Sequence, residues 1–241
     1  MSGNGDKWFV ARYRPTALFS LRTTYSTSSG GKTLLVPTPY AVRLAFVDAS
    51  YRAEGEALAR RVFELLLGRR IRFRPPEHAA VTHTFIKIKR EARDAGPEEP
   101  YISSIAFREF CHFQGELCIA IAAEGLAEAD LAELTRVAAH INYFGKRGSF
   151  FAFAGAETAD NLPAGFSLLV PDDLMEAGQG YATAQFLDEL APELPRDIFD
   201  RINSYSDRPL SLGKHRIIQQ HLLPYRTART SKSYTHYKWA L

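Results

Sequence analysis

The sequence predicts an α+β fold in which strands and helices alternate over residues 1–155. Two segments with helical spacing of apolar residues, Tyr40–Leu67 and Leu126–Tyr143, flank an alternating segment at Val81–Glu91 that is typical of a strand. With 241 residues and 46% hydrophobic content, the chain is long enough for one large domain or for one domain with a sizeable appendage.

The first elements are expected to be strands followed by a long helical region. In order, they are strands at Lys7–Tyr13 and Ala17–Thr24, a polar loop at Tyr25–Lys32, and helix from Tyr40 to about Leu67. Pro39 suits the first turn of that helix. Gly55 is a candidate break, and the basic run Arg69–Arg74 after Gly68 is expected to end the helical region.

The central elements are expected to be strands followed by a second helix. In order, they are strands at Val81–Glu91, Tyr101–Phe110 and His112–Ala123, a helix at Leu126–Tyr143 and a strand at Ser149–Phe153. Glu128 and Asp130 lie in the first turn of the helix, where its dipole favours anions. The predicted order is a strand, a helix, two strands or a hairpin, a helix and a strand. This is the ferredoxin-like βαββαβ order with inserted elements.

The remaining residues are less regular and are predicted to form a C-terminal extension of short elements. The expected elements are a strand within Leu162–Pro171, helices at Tyr181–Leu190 and Asp197–Tyr205, and strands at Arg216–Leu223 and Tyr234–Ala240. We therefore expect residues 1–155 to form the ferredoxin-like domain and residues 156–241 to pack on it as an extension.

The distribution of charge is more informative than the net charge of +3. No Asp or Glu follows Asp207, whereas that tail contains seven Lys or Arg residues and four interleaved aromatic residues. These are Arg208, Lys214, Arg216, Arg226, Arg229, Lys232 and Lys238, with Tyr225, Tyr234, Tyr237 and Trp239. Such a tail is suited to phosphates and bases, but an ordinary strand pair with basic outward residues gives the same pattern.

A polar loop with one lysine precedes the first helix. Ser28, Ser29, Gly30, Gly31 and Lys32 invite comparison with a nucleotide-binding P-loop, but that motif requires a glycine where this chain has a serine, and two prolines soon interrupt the segment. A loop whose amide groups and Lys32 contact a phosphate backbone fits the residues better. A plain surface loop is the alternative.

A second candidate anion site follows the second helix, in the sequence NYFGKRGSFF. Lys146 and Arg147 lie between Gly145 and Gly148. Cations near a helix C-terminus are favoured by the helix dipole, so helix stability alone would account for them. The glycines would also allow a phosphate to approach the backbone. Tyr143 and Phe144 are candidates for stacking, although at least one of these rings is expected in the core.

No catalytic or metal motif accompanies these segments. The seven histidines form no HExxH motif or paired metal spacing, and no GxSxG motif is present. For metal-free RNA cleavage, His215 beside Lys214 and His236 near Lys238 are the remaining candidates. Cys111 and Cys118 are expected to be buried thiols. We expect no cofactor and no membrane span, and the N-terminal residues lack an apolar signal core, which favours a cytoplasmic protein.

Three blocks of the sequence resemble the RAMP superfamily of CRISPR-associated proteins. The blocks are FSLRTTYSTSSGGKTLLVPTPYAVRLAFVDAS, IAFREFCHFQGELCIAIA and INYFGKRGSFF, within Phe19–Phe153. They are most similar to the subunit of type I surveillance complexes (Cascade) that caps the 5′ end of the guide RNA. In that family, an early strand leads through a loop into a proline-started helix, and a second helix ends in a Gly-Lys-Arg-like turn.

The resemblance implies a modified RRM-like fold with a protruding β-hairpin, or thumb, for which Lys87–Ile105 is the candidate. It implies binding of the crRNA 5′ handle, contacts with the large and backbone subunits of the complex, and an indirect role near the PAM of the target DNA. The family's RNA contacts are carried over to Arg22, to Ser28, Ser29, Gly30, Gly31 and Lys32, and to Tyr143, Lys146 and Arg147.

Two alternatives to this noncatalytic RNA-binding role stay open at this point. One is a metal-independent endoribonuclease of the same superfamily that cuts repeat RNA. The glycine-rich C-terminal loop of many RAMP proteins is reduced here to Leu212-Gly213-Lys214, which disfavours it. The other is a metabolic ferredoxin-like enzyme, which would need an apolar pocket and is disfavoured by the acid-free tail.

Overall fold

A computed structural model describes residues 6–26, 30–91, 101–173, 180–203 and 207–241 of the chain. The described chain is mixed α+β and consists mostly of strands. Its strands are β1 (Trp8–Pro15), β2 (Leu21–Arg22), β3 (Gly30–Gly31), β4 (Thr33–Leu34), β5 (Ile71–Arg74), β6 (His78–Glu91), β7 (Tyr101–Phe113), β8 (Leu117–Ala122), β9 (Phe151–Ala159), β10 (Leu168–Val170), β11 (Thr183–Leu190), β12 (Arg216–Leu223), β13 (Tyr225–Thr230) and β14 (Tyr234–Trp239). Its helices are α1 (Pro39–Glu54), α2 (Glu56–Leu66), α3 (Glu128–Ala138) and α4 (Ile198–Ile202).

A four-stranded sheet in the order β5-β8-β1-β9 forms the centre of the molecule, and all of its neighbouring strands are antiparallel. The residues of β1 alternate between its two faces. Phe9 and Tyr13 pack with the apolar residues of α1, α2 and α3 in the main core, whereas Trp8 and Val10 pack on the other face with Phe166. The hydroxyl of the buried Tyr13 donates to the carbonyl of Ala138 at the end of α3.

The division of the first helical region at Gly55 and its end before the basic run are confirmed, but the strand that follows was not predicted. The run at Arg69–Arg74 does more than end the helix, because its last four residues form β5 at the edge of the central sheet. Ile71 and Phe73 are buried, while Arg72 and Arg74 alternate with them. This alternation is a strand signal that four positive charges in six residues obscured.

The second helix is shorter than predicted. It begins at Glu128 and ends at Ala138, not Tyr143, because the amides of His140 and Ile141 bond to carbonyls three residues earlier and tighten the last turn. The chain then turns back toward β9. The predicted acidic first turn is present, and Asp130 accepts a hydrogen bond from the Ala127 amide.

A long antiparallel hairpin of β6 and β7 is confirmed, and it belongs to a second sheet with the order β13-β14-β6-β7-β3. Its pairing extends to Glu91 and Tyr101, within the candidate thumb. Residues 92–100 of that candidate lie outside the described residues. Phe85 and Ile105 are 73% and 66% exposed, so the described part of the hairpin presents large apolar side chains to solvent.

Strands within residues 168–223 form a third sheet, in the order β10-β12-β11. The predicted helix at Tyr181–Leu190 is wrong, because Thr183–Leu190 is a strand that pairs with β12 over eight residues. Phe186 is 59% exposed next to the buried Leu187, as in a strand with two different faces. The helix predicted at Asp197–Tyr205 is observed at Ile198–Ile202, and β13 was not anticipated.

A buried ion pair joins this third sheet to α1. Arg43 donates from Nε and Nη2 to the two carboxylate oxygens of Glu189 on β11, at 2.8 and 2.7 Å. The same guanidinium donates to the carbonyls of Leu66 and Arg69. The two side chains of the pair are 3% and 9% exposed, so the contact between the C-terminal residues and the first helix includes a desolvated charge pair.

Candidate nucleic-acid interface

The segment NYFGKRGSFF forms a closed loop that presents its two cations. An isolated bridge joins Tyr143 to Phe150, and the Phe151 amide donates to the Asn142 carbonyl at 2.9 Å. Within this frame, the Ser149 amide donates to the Lys146 carbonyl at 3.2 Å and closes a tight turn. Lys146 and Arg147 at its tip are both exposed.

The two glycines of this loop are explained by its turn geometry. Gly145 has φ 64° and Gly148 has φ 102°, a region that residues with a side chain rarely adopt. Phe144, directly before Gly145, is fully buried in the core, and the centroid of its ring lies 5.0 Å from that of Tyr13. The expectation that one of the two rings belongs to the core is therefore confirmed, and Tyr143 is the ring that lies nearer the surface.

Two segments that are far apart in sequence meet at this loop. The Ser149 hydroxyl donates to the Ser20 carbonyl at 3.0 Å and accepts from the Ser20 amide at 3.3 Å. The next residues pair in β2 and β4, with Arg22 opposite Thr33. Ser149 thus fixes the loop with Lys146 and Arg147 beside the strand that carries Arg22.

Arg22, Tyr143, Lys146 and Arg147 line one groove, with a volume of about 1000 Å³. Its floor is the beginning of α1, including Thr38. The structure therefore brings together four of the nine residues for which the sequence predicted RNA contacts, although more than a hundred positions separate Arg22 from the others.

The N-terminus of α1 opens into this groove and adds to its positive potential. The Thr38 hydroxyl accepts from the Ala41 amide at 3.1 Å, and Pro39 occupies the first turn, as expected. The amide dipoles of a 16-residue helix place partial positive charge at this end. Phosphates bind at such helix ends when cationic side chains are also present.

The groove also contains four carboxylates, and each of them contacts an arginine. Arg60 contacts both Glu56 and Asp200, Arg52 contacts Asp48, and Arg216 contacts Asp188, at distances between 2.6 and 3.1 Å. In the described part of the chain, Arg22, Lys146 and Arg147 form no ion pair of this kind. The three cations at one end of the groove are therefore available to a ligand.

Gly30, Gly31 and Lys32 do not line the groove. Gly30 and Gly31 pair in parallel with Phe107 and Arg108 of β7. A Cβ on Gly31 would lie 2.9 Å from Arg108 Cδ, so this glycine makes room for an arginine side chain. Lys32 is exposed between this strand and β4. Ser28 and Ser29 lie outside the described residues.

The two candidate catalytic histidines lie away from the groove. His215 is 4% exposed, and its Nδ1 accepts from the Ser211 amide at 3.0 Å. His236 stacks on His78 with ring centroids 5.2 Å apart and a nitrogen–nitrogen distance of 3.1 Å. None of the seven histidines, all of which lie in described segments, lines the groove.

Arg216 is a groove residue whose importance the sequence indicated only through the basic tail. Its guanidinium lies 5.2 Å from the ring centroid of Tyr40, and its Nη1 contacts Asp188 at 3.1 Å. Burial raises the pKa of Tyr40 to about 12, so this hydroxyl stays protonated at neutral pH. Only tertiary structure brings β12 and the start of α1 together.

The described residues contain no group of three His, Cys, Asp or Glu side chains arranged to hold a metal ion. Cys111 is buried and Cys118 is partly buried, and burial raises the pKa of both thiols. In the same segments, no helix is long and apolar enough to cross a membrane.

Comparison with known proteins gives structural similarity only. No family model matches the sequence, and no curated protein matches it. The structure is similar to the crystal structure of a CRISPR protein from Archaeoglobus fulgidus, with a TM-score of 0.45 and 10% identity over 98% of this chain and 92% of that chain. It is also similar to a chain of a CRISPR RNA-guided surveillance complex, with a TM-score of 0.45 and 13% identity over 89% of this chain and 88% of that chain.

Proposed function

We propose that this chain is a noncatalytic RNA-binding subunit of a type I CRISPR surveillance complex and that it holds the 5′ handle of the crRNA. One observation carries the proposal. The groove over the N-terminus of α1 collects Arg22, Lys146 and Arg147 without acidic partners, beside the ring of Tyr143. The resemblance of the sequence to RAMP proteins supports the same ligand, and two of the three blocks that carry it contribute residues to this groove.

The chemistry of the groove suits a single-stranded RNA end. Three cations and a helix N-terminus attract phosphates, which supply most of the affinity and fix the position of the strand. A half-exposed aromatic ring beside them provides a surface on which an unstacked base can lie. The lower part of the groove, where arginines and carboxylates alternate, offers hydrogen-bond donors and acceptors for base edges.

The proposal includes the ferredoxin-like assignment of residues 1–155. The order β5-β8-β1-β9, with helices between β1 and β5 and between β8 and β9, supports it. The ion pair between Arg43 and Glu189 supports an extension, residues 156–241, that packs on this domain. The β6–β7 hairpin is the proposed thumb, and its exposed Phe85 and Ile105 suit contacts with the large or backbone subunit.

Metal-independent cleavage of repeat RNA is less well supported. Proton transfer at a ribose hydroxyl requires a histidine or another suitable group within hydrogen-bond distance of the bound strand. No histidine of the chain lines the groove, and His215 is buried. We therefore place strand binding, and not strand cleavage, in this groove.

The test is expression with a CRISPR array and the other subunits, followed by purification and sequencing of the bound RNA. We expect guides with uniform repeat-derived 5′ ends. Lys146→Ala with Arg147→Ala should weaken guide binding and lower the slope of log Kd against log salt by about 1.4, because two phosphate contacts are lost. Lys7→Ala with Arg14→Ala removes the same charge outside the groove and should leave the slope unchanged.

Three results would contradict the proposal in different ways. An unchanged salt slope for the Lys146 and Arg147 variant would remove the groove from the RNA interface. Cleavage of repeat RNA at one position by the purified chain in EDTA, abolished by His215→Ala or His236→Ala with folding preserved, would identify an endoribonuclease. The absence of enriched RNA would exclude a role in guide binding.

A further inference from the structure

A second surface of the molecule carries cations and rings without being part of the groove. It is the face of the β13-β14-β6-β7 sheet that points away from the core. Cross-strand partners share a face, so the register assigns its members. We call this surface the outer face. Its members are Arg226, Arg229, Tyr234, His236, Lys238, His78, Thr82, Phe110 and His112.

The register places these residues in rows across the strands. Arg226 is opposite Lys238, which is opposite His78. The next row runs from Arg229 through His236 and the small Ala80 to His112. With about 4.8 Å between neighbouring strands, this second row spans about 14 Å. The positions between these rows point to the core, where Ala79 and Phe113 are buried.

The outer face is positively charged and open to solvent. Arg226, Arg229 and His112 are exposed, and no outward position in the described part of these four strands is acidic. The nearest carboxylate is that of Glu77, just before β6, at 3.7 Å from Lys238 Nζ and from His78 Nε2. The acid-free tail noted in the sequence therefore contributes three of its seven Lys and Arg residues, Arg226, Arg229 and Lys238, to one side of a sheet.

Aromatic rings lie among these cations. Tyr234 and Phe110 are half-buried on one row, on either side of Thr82, and His78 and His236 stack with an interplanar angle of 21°. Flat sheets that alternate cations with rings bind single strands, since the cations follow the phosphates and bases stack on the rings. An acidic protein would use the cations but would have no need for the rings.

We propose that the outer face is a second binding surface for single-stranded nucleic acid, separate from the groove over α1. No outer-face residue lines the groove, and the groove takes no residue from β6, β7, β13 or β14. The proposal does not require that the groove bind RNA. RNA and DNA strands share the chemistry in question, and the experiment distinguishes them.

The experiment measures anisotropy of a labelled 12-nucleotide strand over a range of salt concentrations. The full chain carries Lys146→Ala and Arg147→Ala, so that the groove contributes little. Arg226→Thr and Arg229→Thr are then added, because threonine keeps the strand propensity of β13. This variant should bind the strand at least tenfold more weakly at 0.1 M salt, and its slope of log Kd against log salt should be lower by about 1.4. Tyr234→Thr should weaken binding by about tenfold without changing the slope.

The matched control removes the same charge from the opposite face of the same sheet. Lys87→Thr with Lys89→Thr changes two exposed residues of β6 and should leave both affinity and slope unchanged. Equal effects of the two double variants would overturn the proposal, as would an unchanged slope for the Arg226 and Arg229 variant. If polyglutamate competes equally and Tyr234→Thr has no effect, the face binds any polyanion and the assignment to nucleic acid fails.

The outcomes separate this proposal from the groove. Each pair of cations is also changed by itself in the otherwise unmodified chain. If only the Lys146 and Arg147 variant loses the salt dependence of binding, the groove is supported and the outer-face proposal is overturned. If only the Arg226 and Arg229 variant loses it, the outer face is supported and the groove is overturned. The Kd is measured for an RNA strand and for a DNA strand of the same sequence. A difference between the two values reports contacts with the 2′-hydroxyl and so identifies the preferred ligand.

Discussion

The buried pair of Arg43 and Glu189 provides a sharp test of how the C-terminal residues are held to the first helix. Glu189→Gln preserves the size of the side chain but removes the negative charge, leaving a guanidinium that is only 3% exposed without a counter-ion. Removing one partner of a buried pair costs about 3–5 kcal/mol. For a chain of this length, the expected decrease in Tm is on the order of 10 °C.

The comparison with a double variant separates charge from packing. Arg43→Met with Glu189→Met buries no charge, and its main loss is the pair of hydrogen bonds to the Leu66 and Arg69 carbonyls, about 2 kcal/mol in total. The double variant should therefore be more stable than Glu189→Gln alone. Glu56→Gln breaks an exposed pair with Arg60 and should have a much smaller effect on stability than Glu189→Gln.

The assay is urea unfolding followed by circular dichroism, with the unfolding midpoint compared at constant m-value. If Glu189→Gln is no less stable than Glu56→Gln, the pair is not desolvated as described. If the double variant is as unstable as Glu189→Gln, the loss comes from packing and not from an uncompensated charge. Either result would refute the reasoning.

Two further predictions concern the core and the loop. Burial lowers the pKa of His221 to about 4, so below pH 6.5 the unfolded chain binds a proton that the folded chain does not. We therefore expect the free energy of unfolding to fall by about 3 kcal/mol between pH 7 and pH 4. Urea unfolding at the two pH values should show this loss in the unmodified chain but not in His221→Gln. Gly148→Ala should lower the free energy of unfolding by about 1 kcal/mol because Gly148 has a φ of 102°, although no atom lies within 4 Å of the added Cβ. Thermal unfolding should show this loss. An unchanged Tm would show that the loop adopts another conformation.

Periodicity was sufficient to predict the elements that bury one continuous face. The helical region from Tyr40, its break at Gly55 and the alternating strand from Val81 are all observed, because each pattern repeats over several turns or residue pairs. Shorter elements were less predictable. β5 was hidden among arginines, and β11 was mistaken for a helix because Tyr181–Leu190 contains residues compatible with both periods.

The candidate groove was predictable in its parts but not in its assembly. The family resemblance indicated Arg22. The sequence also indicated Lys146 and Arg147 as cations between two glycines after a helix, and Phe144 or Tyr143 as a core ring. It gave no indication that Arg216 lies against Tyr40, or that Arg108 fills the space beside Gly31. These contacts depend on strand register and on which sheet a strand joins, and neither is contained in a local pattern.

The sequence by itself determined where chain direction changes and which residues are cationic, since proline, glycine and charge act locally. Tertiary structure alone decided that residues around 22 and 146 share one groove, whereas Arg226 and Arg229 lie on another surface. The physical reason is that the positions of cations relative to one another follow from sheet order and cross-strand register, which are set by burial of the whole apolar core.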